Sequence, residues 1–419
     1  MHNAVTSQNG NLFIEGVALE TIATQYGTPS YVYSKAAISS NFLAYQTALA
    51  GKDHLICYAV KANSNIAVLQ TLAELGAGFD IVSSGELERV IRAGGDPAKV
   101  VFSGVAKTAA EMRRALELGI HCFNVESEAE LELLNATAAA IDLHAAVSLR
   151  VNPDVDAQTH PYISTGLKEN KFGIDINLAP QVYQRAAQMS HINIVGVDCH
   201  IGSQLVDINP FVAALERLLM LVDQLAELGI SLQHIDIGGG LGVRYETEQP
   251  PSADDYMSAI LPLLEGRSET LVLEPGRSIT ANAGVMLTQV QYLKSNGEKN
   301  FAIVDGAMND MIRPALYQAW MDIQPVSGGT AETHHYDVVG PVCETGDFLA
   351  KDRALAISAG DYLCLFSAGA YGFVMSSNYN SRTRAPELMV DADQVHIIRQ
   401  RETIEDLLNS EQLLPAAQG

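Results

Sequence analysis

The chain has 419 residues, 47% apolar and 18% charged, with a formal net charge of -23 at pH 7. That length exceeds what one hydrophobic core usually serves, so two domains are expected, and the composition excludes a disordered or membrane-embedded chain. So large a negative charge, with no basic patch to offset it, argues against nucleic acid or an anionic lipid surface as partner.

The N-terminus (Met1 to Asn9) carries neither a basic nor an apolar leader region, and no stretch is long enough to span a bilayer. A cytoplasmic protein is expected. The five cysteines include no C-x-x-C pair, which fits reduced thiols and offers no metal signature, so no metal is expected. Cys57, Cys122, Cys199 and Cys364 read as core fillers. Cys343 differs, because Glu344, Thr345, Gly346 and Asp347 follow it in a polar turn.

From about residue 35 to residue 280 the chain repeats one unit: an apolar or β-branched run, a polar or glycine-containing corner, then an amphipathic helix. Eight such runs end near Ala59-Val60-Lys61, Phe79 to Val82, Val100 to Ser103, Cys122 to Val125, Val147 to Arg150, Val195 to His200, Ile235 to Gly238 and Leu271 to Glu274. Between them Ser83 and Glu86, Thr108 and Glu111, and Ser127 and Glu130 match the S/T-x-x-E capping box. A helix over Pro210 to Glu227 shows the stripe Phe211, Ala214, Leu215, Leu218, Leu219, Val222 and Leu225 and is ended by Gly229. The alternation predicts an α/β fold, a closed (β/α)8 TIM barrel over residues 36–280, with an open doubly wound sheet as the alternative.

Beyond residue 281 the pattern changes. Gln289 to Leu293 and Phe301 to Val304 flank Ser295-Asn296-Gly297, a hairpin signal. Strands are predicted over His335 to Val339, Ala354 to Ile357, Tyr362 to Phe366 and Gln394 to Ile398, with one short helix around Met311 to Trp320. Residues 1–35 and 281–419 are therefore expected to form a second, β-rich domain, Greek-key or β-barrel-like, with a loose tail from Leu413.

Chemistry collects at the corners. Lys61, in Tyr58-Ala59-Val60-Lys61-Ala62-Asn63, stands where an apolar run gives way to a helix; partial burial would favour the neutral amine and make it a Schiff-base candidate rather than a surface charge. Gly238-Gly239-Gly240-Leu241-Gly242 exposes backbone N–H groups that cradle a phosphate or else serve close packing. His200 is either a core histidine or a functional imidazole. Glu274 and Arg277 form either a salt bridge or a working pair, with the carboxylate beside a pyridine nitrogen and the guanidinium on an anion. Together these corners hold the parts needed for pyridoxal phosphate.

The motifs run nearly end to end. They are Tyr58 to Asn63, Asp80-Ile81-Val82-Ser83-Ser84-Gly85-Glu86-Leu87, Lys171-Phe172-Gly173, His200-Ile201-Gly202-Ser203, Gly238 to Gly242, Glu274 to Arg277, Arg313-Pro314-Ala315-Leu316-Tyr317, Gly340 to Asp347 and Gly369-Ala370-Tyr371. In this order the chain resembles the fold-type III (alanine racemase-like) pyridoxal-phosphate-dependent decarboxylases. Thr345 stands where serine is usual and Ser84 where glycine is common, and neither change removes a functional group.

The resemblance implies that Lys61 binds the cofactor covalently, His200 stacks on its ring and Glu274 contacts the pyridine nitrogen. It places the phosphate against Ser203, Gly239, Gly240 and Gly276, with Tyr371 helping, and counts Asp80 and Arg277 among the cofactor contacts. By the same likeness Arg277, Arg313, Tyr317 and Tyr371 contact substrate, Glu344 takes its distal ammonium, and Cys343 donates the proton that replaces CO2. Cys343 and Glu344 come from the neighbouring subunit in such enzymes, so a homodimer with shared sites is implied.

Two arginines and a glutamate suit a tail that carries both carboxylate and ammonium, since a mismatched analogue leaves buried charges unpaired. The expected reaction is decarboxylation of meso-2,6-diaminopimelate to L-lysine, the last step of lysine biosynthesis. Alternatives are decarboxylation of ornithine, arginine or carboxynorspermidine, a racemase (which would set an arginine where Glu274 stands), a cofactor-free barrel aldolase, and a silent cofactor- or partner-binding relative. A lid is expected around Lys168 to Gly173.

Overall fold

The computed structural model describes residues 4–155 and 171–415, so the first half of the expected lid, Lys168 to Gly173, lies outside the described residues. The chain divides into two units, one built on Ala37–Ala281 and the other on the residues up to Ala36 together with those from Asn282 onward.

The first unit is a closed barrel of eight parallel strands: β1 (His54–Ala59), β2 (Gly78–Ile81), β3 (Val100–Phe102), β4 (Cys122–Val125), β5 (Ala145–Asn152), β6 (Ile192–Asp198), β7 (His234–Asp236) and β8 (Thr270–Leu273). Closure is made where Leu271, Val272 and Leu273 pair in parallel with His54, Leu55 and Ile56. An open doubly wound sheet is thereby excluded. Strands such as Val100–Phe102 and Cys122–Val125 are buried along their whole length, as covered parallel strands must be, which is why they read as unbroken apolar runs.

Alternation along the strands sorts the barrel interior into layers. Cys57, Val101, Cys122 and Val272 form one buried apolar cluster, with Leu55, Ala146 and Val195 against it. Side chains alternate across a strand, so two residues further on the same inward face carries Asn124 after Cys122 and Glu274 after Val272. These two meet, Asn124 Nδ2 donating to Glu274 Oε1 at 3.2 Å. Toward the carboxyl end the barrel interior becomes polar.

Thr108 makes the complete capping box with Glu111. Ser83 and Ser127 cap as expected, but the Glu86 and Glu130 carboxylates accept from Val82 N and Glu126 N, one residue before the cap. The helix Asn209–Glu227 buries Leu221 where the sequence suggested Leu219, and Gly229 follows it at φ +80°.

The second unit is β-rich. Its main sheet runs in the order Phe348–Leu355, His334–Val339, Asn300–Val304, Gly284–Ser295, Ser30–Ser34, Glu387–Asp391, Gln394–Arg399. The expected hairpin is present between Gly284–Ser295 and Asn300–Val304. The strand predicted at Ala354 to Ile357 instead spans Phe348–Leu355, where Lys351, Asp352 and Arg353 hid the pattern, and the predicted helix shortens to Arg313–Tyr317. Ser30–Ser34, buried throughout, and Glu387–Asp391 gave no strand signal. Among the described residues no helix is long and apolar enough to cross a membrane.

Candidate active site

Lys61 sits on a single 3-10 turn, Val60–Ala62, directly after β1, and the next helix is capped by Asn65, whose side chain accepts from Ala67 N. The amine is thus delivered to the carboxyl end of the barrel, where its Nζ bonds Asp80 Oδ2 from β2. Asp80 is fully buried, and its other oxygen, Oδ1, has no hydrogen-bond partner among the described residues. Burial is therefore not the only influence on this amine: its neighbour is an anion that matches the ammonium form.

Three further strand ends bring carboxylates inward. Oxygens of Asp198 (β6), Asp236 (β7) and Glu274 (after β8) lie within 4.8 Å of one another, and all three residues are buried. Burial and then the Asp236 charge hold Glu274 well above the usual carboxylate range, and the same two causes act on Asp198. Asp236 is pushed up to about 7, chiefly by burial. Arg150 of β5 faces this cluster, its Nη1 3.3 Å from Glu126 Oε1 and its Nε 3.9 Å from Asp198 Oδ2, and the Lys61 charge also acts on Glu274. The cluster favours a proton or a further cation.

His200 follows β6, and its Nδ1 accepts from Gly239 N at 3.2 Å. Burial, then the Arg150 and Lys61 charges, lower its pKa well below the ordinary histidine value, so the ring is neutral with its proton on Nε2. The glycine corner after β7 turns through positive φ at Gly238 (+67°) and Gly240 (+109°). It packs tightly as well: a Cβ at Gly239 would stand 2.1 Å from the Glu274 carbonyl oxygen, and one at Gly240 would stand 2.4 Å from that of Gly202. The N–H groups of Gly240 and Gly276 meet no protein acceptor among the described residues. Arg277 Nη2 donates to Ser203 Oγ at 2.9 Å and its Nη1 to Tyr245 Oη at 2.7 Å.

Nine expected site residues, Lys61, Asp80, His200, Ser203, Gly239, Gly240, Glu274, Gly276 and Arg277, thus gather at one end of one barrel. Arg313, Tyr317, Cys343, Glu344 and Tyr371 belong to the second unit. There Arg313 and Tyr317 share one short helix, and Arg313 is buried with Nη1 3.6 Å from Met321 Sδ. Cys343 is exposed, and its N–H donates to Asn380 Oδ1 at 2.9 Å. Glu344 accepts from Tyr379 Oη at 2.6 Å. Asp347 ties their turn by accepting from Met308 N and Val342 N, both at 2.7 Å. Tyr371 holds the left-handed backbone at φ +55°, a conformation that costs a non-glycine residue about 1 kcal/mol or more and so marks a constrained position.

Sequence reasoning missed Asn124, Arg150, Asp198, Asp236 and Tyr245. The available signal was a polar residue inside an otherwise apolar strand, as in Ile235-Asp236-Ile237.

The donors suit a phosphorylated pyridine aldehyde. Gly240 and Gly276, in the loops after strands 7 and 8 where such barrels hold phosphate, present N–H groups without an acceptor among the described residues, beside the Ser203–Arg277 pair. The surplus of buried carboxyl groups suits a protonated ring nitrogen.

The chain belongs to the pyridoxal-dependent decarboxylases: residues 35–281 match the family described as "Pyridoxal-dependent decarboxylase, pyridoxal binding domain". Along its full length it is similar to enzymes named diaminopimelate decarboxylase. That of Pseudomonas aeruginosa is 66% identical over 97% of this chain and 98% of its own. That of Vibrio cholerae is 57% identical over 97% and 98%. The crystal structure of the Helicobacter pylori enzyme complexed with L-lysine is 44% identical, with a TM-score of 0.90 over 93% of this chain and 98% of its own.

Proposed function

We propose that this chain decarboxylates meso-2,6-diaminopimelate to L-lysine and CO2, with pyridoxal phosphate in the barrel mouth, as a cytoplasmic homodimer. The observation that carries the reading is the mouth itself, an amine on Asp80 beside a buried, under-neutralised Glu274, in a chain similar throughout to enzymes named for that reaction. When bound, pyridoxal phosphate supplies an aldehyde for an amine and a ring that accepts the electron pair a departing carboxylate leaves behind.

The chain's own residues do the rest. Lys61 provides the amine, and Asp80 orients it and can take up its proton. Glu274, held in place by Asn124, offers the anion that keeps a ring nitrogen protonated. His200, being neutral, lays a flat face beside the ring without adding charge. Gly240, Gly276, Ser203 and Arg277 grip the phosphate.

We assign the distal carboxylate of the substrate to Arg313 and Tyr317, with Arg277 and Tyr371 as further contacts. Glu344 of a second copy takes the distal ammonium, and Cys343 of that copy delivers from Sγ the proton that replaces CO2. One carboxylate leaves, its electron pair stays on Cα, and one proton restores neutrality.

The test is CO2 release by the purified, cofactor-loaded protein from meso-diaminopimelate, ornithine, arginine and carboxynorspermidine. Lysine should appear from the first alone. Release from another substrate would reassign the specificity, and release from none would leave a silent binder.

A further inference from the structure

The amino-terminal end of the barrel, opposite the mouth, holds a cluster of ligating side chains that decarboxylation does not use. We propose that His121, Cys122 and His234 form a zinc site that braces this end of the barrel. His121 immediately precedes β4, Cys122 is the first residue of β4, and His234 is the first residue of β7. One donor atom from each lies within 4.8 Å of the others, Cys122 Sγ stands 4.0 Å from His234 Nε2, and the two imidazole centroids are 5.2 Å apart. Zn–N bonds of about 2.0–2.1 Å and a Zn–S bond of about 2.3 Å at a tetrahedral angle set nitrogen and sulfur about 3.6 Å apart. The sulfur and the His234 nitrogen therefore need to close by less than half an ångström.

Two observations distinguish this cluster from a stacked histidine pair. His121 Nε2 is buried without a hydrogen-bond partner among the described residues. With its proton on Nδ1, this ring would offer a bare Nε2 lone pair to a metal ion. The second observation is the slot for His234: a Cβ at Gly196, on neighbouring β6, would stand 2.0 Å from His234 Nε2. The ring occupies space that only glycine leaves.

Two imidazoles and a thiol are borderline-soft ligands suited to zinc, and three protein ligands leave the fourth position to water. On binding, the Cys122 thiol gives its proton to solvent and the sulfur binds as thiolate. His121 is only partly buried, which gives the ion a way in. Because β5 and β6 separate β4 from β7 around the barrel, the metal would tie strands that share no hydrogen bonds. No linear signature exists, since Cys122 and His234 are 112 residues apart.

The test uses the full-length, cofactor-loaded protein, stripped with a chelator and titrated with zinc chloride in a zinc-buffered solution. One zinc per chain is expected, with a single sulfur and two imidazole nitrogens in its X-ray absorption spectrum and a higher unfolding temperature with zinc than without. His121→Ala, at the partly exposed position, should weaken zinc binding at least tenfold with kcat unchanged, and Cys122→Ser should remove the sulfur from the spectrum. Should the buried variant fail to fold, His121→Ala decides alone. Zinc that binds His121→Ala as tightly as the parent, that is lost instead in Cys343→Ser, or that shows no sulfur neighbour would overturn the proposal, as would the absence of any stoichiometric binding.

Discussion

The Lys61–Asp80 contact joins a third-exposed amine to a fully buried carboxylate, so its worth lies in holding the amine in place more than in stability. Lys61→Ala should abolish both the visible absorbance of the bound cofactor and turnover, and a coloured, active variant would remove the lysine from the reaction. Glu274→Gln keeps the shape and the Asn124 contact but loses the charge; a fall in kcat of about 10²-fold is expected, the scale of removing one preorganised electrostatic group. Asp236 makes a different kind of test. Burial raises it from its ordinary 3.8 to about 7, so between those values the folded state binds the extra proton. The stability it contributes is complete below pH 4 and is lost as pH rises through 7. In urea titrations of cofactor-free protein, Asp236→Asn should flatten the decline between pH 4 and pH 7; an unchanged slope would place the effect elsewhere.

At the scale of elements, the strands and helices follow local rules that can be checked singly. Thr108 accepts from Glu111 N while Glu111 returns a bond to Thr108 N, so Thr108→Ala should cost about 1 kcal/mol in unfolding free energy. The capping pattern was legible for Ser83 and Ser127 too, yet which amide Glu86 and Glu130 would serve was not, because that depends on how the preceding loop enters the helix. Glycine-rich corners were equally ambiguous as sequence, packing joint or anion cradle. Gly239 settles part of it: its missing side chain is what lets the loop press on the Glu274 carbonyl, a rigid backbone neighbour. Ser30–Ser34 escaped detection since a five-residue segment buried on both faces carries no alternation to read.

At the scale of the whole molecule, the proposed dimer makes a quantitative prediction. If each site combines Lys61 of one copy with Cys343 of the other, then neither Lys61→Ala nor Cys343→Ala chains are active alone. An equal mixture, dissociated and reassembled at random, should recover about one quarter of the parent activity, because half the dimers are mixed and each has one intact site. No recovery would mean that both residues act within one chain.

What the order of residues determined unaided is the alternation of strand and helix, the caps, and the placing of Lys61, His200, the glycine corner and Glu274 at strand ends, because periods of 2 and 3.6 and the chemistry of turns are local. Only the tertiary structure decided that the strands close through Leu271 and His54, and that Asn124 reaches Glu274 across 150 positions. It also gathered Asp198 and Asp236 around that glutamate, and Cys122 beside His234. Those meetings depend on strand order and on which side chains face the barrel axis, and both arise when distant segments pack to bury a shared interior.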